Sequence, residues 1–235
     1  FEYSDLASEL YLTEGDKAAS QEIFKKLLAE KNTTKDQTKI YTKLLHVMKG
    51  QEGSAEYKKL EDKLLAGNIE PYASEIRLRK VENLLQNKKY TEAFNMAKSF
   101  VSESSGASDD VRAKARLIQA QVLEKEFVEA KTKTSVDKLS LVLSIKAERL
   151  DKAQTAFLSS AKMAKDENIK LSALDGLIRI YTHFIDSVQG TQVKEELTEA
   201  DQKALKSEMK KLTEPIADKK KKNESKMKEL NKDKK

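Results

Sequence analysis

The sequence predicts an all-α fold assembled from helical hairpins, and three observations carry that prediction. Only 7 glycines and 2 prolines occur in 235 residues, too few turn-formers for an all-β chain. Charged residues make up 36% of the chain, and the wealth of Lys, Glu, Ala and Leu is the composition of long helices. Apolar residues recur at three- and four-residue steps, the spacing that lays side chains along one helix face. A hydrophobic fraction of 38% is enough for helices that each bury a single stripe. Cysteine is absent, which excludes disulfides and thiolate metal sites.

Taken in order, the first hairpin spans Ser4 to Leu28. Leu6, Leu10 and Tyr11 form one stripe, Gly15-Asp16 the turn, and Ile23, Phe24, Leu27 and Leu28 the second face. Thr33 or Thr34 suits the N-cap of the next helix, about Lys35 to Lys49, whose apolar side is Ile40, Tyr41, Leu44, Leu45 and Met48. Gly50 and Gly53 bracket a turn. Ser54 to Leu65 follows, with Tyr57, Leu60, Leu64 and Leu65 inward and Gly67-Asn68 as the stop. Pro71 leads into the clearest hairpin, Ile76 to Val101. There Val81, Leu84 and Leu85 face Ala93, Phe94, Ala97 and Phe100 across the turn Asn87-Lys88-Lys89.

After the loop 102–108 the helices lengthen. One runs from about Asp109 to Ala130, with Ser108 as cap. Another covers Ser135 to Ala164, read as a single helix because no turn residue interrupts it. Leu171 to Val188 is the most apolar segment and should be central to this half. Gly190 stops it, Thr198 starts a helix to about Leu212, and Pro215 is expected to open a separate, lysine-rich last one.

The run Asn87-Lys88-Lys89-Tyr90-Thr91-Glu92-Ala93, and Ser8, Tyr11, Gly15, Ser20 and Phe24 before it, resemble the tetratricopeptide repeat (TPR), a helix-turn-helix unit of roughly 34 residues. The second-helix landmarks Ser20, Ala55 and Ala93 lie 35 and 38 residues apart. The resemblance implies a TPR-like solenoid, a right-handed superhelix. Three TPR-like hairpins are expected over 1–101, a continuing solenoid with longer, irregular helices over 102–214, and a lysine-rich terminal helix or tail over 215–235. More narrowly, the order of features from Leu139 to Asn223 resembles TPR proteins of bacterial envelope gliding-motility complexes. The features are a long Lys-rich helix ending in Ala153 and Phe157, the helix Ala173 to Phe184, Glu196-Leu197-Thr198 and Leu212 to Lys220. That likeness implies a periplasmic or cell-envelope scaffold for protein–protein interaction, in a multi-protein complex, although a cytoplasmic location stays open.

Net charge is +6, but residues 215–235 hold nine lysines against four carboxylates, so the remainder carries only +1. The tail, with Lys219, Lys220, Lys221 and Lys222, contains no Arg and no aromatic for base readout or stacking. A solvated helix face is the expectation. An electrostatic binder of nucleic acid or an anionic surface is the alternative.

Motifs for chemistry are missing. His46 and His183 are far apart and no HExxH pair exists, Gly50 and Gly53 form no phosphate loop, and there is no GxSxG elbow. His183, beside Phe184, reads as a packed structural residue. Glu195-Glu196 and Asp109-Asp110 sit at helix starts, where the helix dipole accounts for them. No enzyme, cofactor or metal is expected, and no apolar run approaches the roughly 18–20 residues of a membrane span. The chain starts at Phe1, so a processed protein or a fragment is expected, with any signal peptide or lipid anchor upstream.

Binding is the better expectation. First helices of stacked hairpins line a concave surface. The polar positions Lys39, Lys43, His46, Arg77, Lys80, Asn83, Asn87, Arg112, Arg116 and Gln119 would make a mildly basic groove for a partner peptide or helix. In TPR domains that clamp a C-terminal carboxylate, Lys and Asn hold it from a first helix. Asp5 and Glu9 stand there instead, which disfavours that activity.

Overall fold

The computed structural model describes residues 13, 15–30, 34–48, 50–51, 53–103, 106–130, 134–191, 193 and 196–232. The helix expected over Leu6 to Tyr11, the carboxylates Asp5 and Glu9, and Thr33 lie outside them. The described chain is all-helical: α1 Lys17–Glu30, α2 Thr34–Val47, α3 Ala55–Ala66, α4 Tyr72–Gln86, α5 Tyr90–Glu103, α6 Asp109–Val128, α7 Leu139–Met163, α8 Glu167–Gln189 and α9 Glu199–Lys232. A 3-10 turn, Val136–Lys138, runs directly into α7. Among the described residues no helix is long and apolar enough to cross a membrane. The sheet content there is one isolated bridge between Thr134 and Val193.

Short polar residues start these helices by accepting from the otherwise unpaired first-turn amides. Asp16 accepts from Ala19 N at 3.0 Å, Ser54 from Tyr57 N at 3.1 Å, and Ser108 from Val111 N at 3.3 Å. Asp166 accepts from Asn168 N at 2.7 Å, and Thr198 from Asp201 N at 3.2 Å. Two helices stop alike. Ile69 N donates to Leu64 O after α3, and Lys89 N to Leu84 O after α4, with Asn68 and Lys88 at φ 48° and 59° closing each turn.

The chain divides into two compact units, residues 1–77 and 78–235, the division falling within α4. The first is held by Phe24 and Leu27 of α1, Ile40, Leu44 and Val47 of α2, Tyr57, Leu60 and Leu64 of α3, and Ile76. In the second, α5 packs on α6, α6 on α7 and α8, α7 on α8, and α8 on α9. Its largest core joins Phe127, Leu150, Phe157, Leu177, Ile180, Tyr181 and Phe184. Helices α7 and α8 come close at Gly176. A Cβ placed on Gly176 would overlap the ring edge of Phe157, and Ala153, Ala156 and Ala173 are also buried there. Small residues on both helices let the backbones draw together around one aromatic ring.

Two expectations fail. The most apolar helix begins at Glu167 rather than Leu171, because Asp166 supplies an N-cap that its polar first turn hid. Residues 215–232 are not a separate helix, since α9 runs unbroken through Pro215. Proline there removes one backbone donor, normally enough to kink or end a helix. The stripe Leu205, Met209, Thr213, Ile216, Asn223, Met227 and Leu230 continues across it. Five of these pack against the large core, Met209 within it and Leu205, Ile216, Met227 and Leu230 against it. That packing outweighs the one lost bond.

Candidate functional site

A cleft of about 450 Å³ opens between the C-terminal half of α4, the middle of α6 and the start of α8. Its floor is apolar, made by Leu85, Leu117, Ile118 and Ile169. Above the floor stand Glu82 and Gln86 from α4, Lys114 and Gln121 from α6, and Asn168 and Ser172 from α8. The polar rim reflects helical spacing: Lys114, Leu117, Ile118 and Gln121 fall at i, i+3, i+4 and i+7, one face of α6. Some rim groups are already engaged, since Asp166 caps α8 and Ser172 Oγ donates to Asn168 O at 2.8 Å. The charged groups on the rim are Lys114 and the carboxylates Glu82 and Asp166, so the cleft is mildly acidic. Carboxamides at Gln86 and Gln121 each offer a donor and an acceptor, the pattern that pairs with a peptide backbone.

The residues expected in a groove fall differently. Lys39, Lys43, His46 and Arg77 belong to the first unit, where Lys39 and His46 are exposed and Arg77 lies 4.0 Å from Glu70. In the second unit Lys80 is half-buried, Asn83 is exposed, and Asn87 Nδ2 donates to Asn83 O at 2.8 Å, closing the end of α4. None of these lines the cleft. On α6 the expected residues lie away from the cleft. Arg112 pairs with Asp109 at 2.6 Å, and Arg116 Nη1 donates to Gln119 Oε1 at 2.5 Å. Gln119 is fully buried, and among the described residues its Nε2 has no partner, so it is not a surface residue. Burial also lowers the Arg116 pKa from its ordinary value. Because α6 packs on α5, α7 and α8, most of its circumference is covered, and polarity no longer marks which side faces water. The row Lys114, Leu117, Gln121 carried the missed signal, polar residues flanking an apolar one on one face.

The tail lysines divide. Lys219 Nζ reaches Gln154 Oε1 at 3.1 Å and Lys220 lies 3.8 Å from Glu224, whereas Lys221 and Lys222 are exposed.

A second polar cluster sits inside the fold. Lys146, 2% exposed, places Nζ 3.1 Å from Ala130 O, 3.3 Å from His183 Nε2 and 4.9 Å from the centre of the Phe127 ring. Phe127 meets His183 edge-on at 5.3 Å. Burial and then the Arg149 charge lower the Lys146 pKa. Burial and then Lys146 lower that of His183, opposed by Asp186, the Val128 backbone and Glu124. A neutral imidazole accepting from the ammonium at Nε2 satisfies this geometry. The cluster ties the end of α6 to α7 and α8. Among the described residues no group of three or more His, Asp or Glu side chains is placed to hold a metal ion.

Comparison with protein-family models, curated proteins and solved structures finds no match to this chain.

Proposed function

We propose that this protein is a non-catalytic scaffold, a TPR-like solenoid that holds a partner peptide in the cleft between α4, α6 and α8. The observation that carries the reading is the cleft itself, a polar rim with Gln86, Lys114 and Gln121 over an apolar floor, formed by α4, α6 and α8. Within the second unit α6 contacts both α7 and α8, the neighbour relations of stacked hairpins. Such a cleft suits an extended or helical segment carrying small apolar side chains, with its backbone amides paired to Gln86 and Gln121. Membership of an envelope complex rests on the sequence resemblance alone.

The test is a photo-crosslinking amino acid placed at Gln121 in cells, with the same group at exposed Lys203 on α9 as control. A discrete adduct from position 121 that Lys114→Glu weakens several-fold supports the reading. Equal labelling from both positions, or an adduct indifferent to Lys114→Glu, removes it.

A further inference from the structure

The first three turns of α7 are apolar nearly all round: Leu139, Leu141, Val142, Leu143, Ile145 and Ala147. A helix of that kind is normally covered on every side. Here Leu139 and Lys146 point inward, while Leu141 is 62% and Ile145 42% exposed. Scattered single apolar residues need no explanation, but two large ones one helical turn apart on the same outward face do.

The charges that flank the two residues indicate what covers them. Lys138, Leu141, Ile145 and Glu148 fall at i, i+3, i+7 and i+10, a single outward face with a cation at one end and an anion at the other. A two-fold axis near residue 143 sets this face against itself in antiparallel sense. Leu141 then meets Ile145 of the other copy, and Lys138 meets its Glu148, at both ends at once. The row complements itself in shape and in charge, the property an isologous contact requires. Lys138 has no ion pair among the described residues, whereas Glu148 is held 2.7 Å from Lys152 on its own helix.

We propose that the protein forms a homodimer through antiparallel packing of α7 on α7 of a second copy, centred on Leu141 and Ile145. The contact spans only about 15 Å of helix, so association is weak and concentration-dependent. By symmetry each charge reversal replaces two attractive pairs with two repulsive ones.

Sedimentation of the full chain over a concentration series tests this. The expected result is a monomer–dimer equilibrium that Lys138→Glu or Glu148→Lys alone weakens tenfold or more and the double reversal restores. Leu141→Ser should also leave monomer. Circular dichroism checks that each variant stays folded, which these exposed positions allow. Monomer at every concentration overturns the proposal, and so does a dimer unmoved by the single reversals or not rescued by the double one.

Discussion

The antiparallel pair α7 and α8 is held in two different ways at its two ends. Around Phe157 and Gly176 the contact is made by volume alone: an aromatic ring fills the space left by a missing side chain, with Ala153, Ala156 and Ala173 buried alongside. Three turns away, at Lys146 and His183, the same two helices meet through a buried ammonium, an imidazole and a backbone carbonyl. The difference is one of tolerance. Volume packing has no alternative arrangement and no dependence on solution conditions, whereas the polar end carries groups whose charge changes with pH.

Breaking the packed end should have the largest effect. Phe157→Ala removes a fully buried ring and is expected to cost about 3–5 kcal/mol. Gly176→Ala acts by the opposite route, forcing a methyl into the ring edge, at about 1–3 kcal/mol. If the two positions share one space, adding Phe157→Leu to Gly176→Ala should recover part of the loss. Urea denaturation of the two singles and the double measures this. A double variant no better than the sum of its parts would show that the ring and the glycine are not coupled.

At the polar end the effect is smaller and has a sign that can be worked out. Folding lowers the His183 pKa, chiefly by burial and then by Lys146, so below roughly 6.5 the unfolded chain takes up a proton before the folded one does. Stability is therefore expected to fall as pH drops from about 6.5 through the folded pKa. Asp109, Asp110 and Glu148, also lowered in the folded state, lose their contribution only in the more acidic carboxylate range. Thermal melts between about pH 6.5 and pH 5 isolate the imidazole. His183→Gln should flatten that limb. Lys146→Met should raise the His183 pKa part of the way, because burial remains. Proton NMR reads this directly. A His183 titration that Lys146→Met leaves unmoved would dissociate the pair.

The two ends also differ in how far the sequence exposed them. Helix α7 was legible as one piece because nothing between Ser135 and Ala164 breaks a helix, and Ala153 and Phe157 fell on its apolar period. Gly176, in mid-helix, gave no local sign that it faces an aromatic ring, since that depends on which helix packs opposite. Lys146 falls on the same helical period as Leu139, Leu143 and Leu150, and the arrival of Ala130 O and His183 is what makes the burial of its ammonium satisfiable. The cleft was partly legible. Choosing a face of α6 by polarity selected Gln119, which is buried, whereas Lys114 and Gln121 line the cleft. The continuity of α9 across Pro215 was hidden for the same reason: local propensity ends the helix, and tertiary contact carries it on.

Between the two ends lies Gln154, where packing and polarity meet. Tyr181 is 2% exposed, and its hydroxyl donates to Gln154 Oε1 at 2.8 Å, while Lys219 reaches the same oxygen from α9 at 3.1 Å. Burial pushes the phenol up to about 12, so it remains a donor across the working pH range. Tyr181→Phe keeps the ring in the core and removes only the hydroxyl. Because Gln154 still accepts from Lys219, no buried acceptor is left empty, and the expected cost is about 0.5–1.5 kcal/mol. Gln154→Leu, in contrast, removes the acceptor of the hydroxyl, leaving it only its contact with Asn223, and releases Lys219, so it should cost more than Tyr181→Phe. Equal losses in urea denaturation would mean that Lys219 contributes nothing to holding α9 against α7. A larger loss for Gln154→Leu would identify the shared oxygen as the point where the three helices are joined.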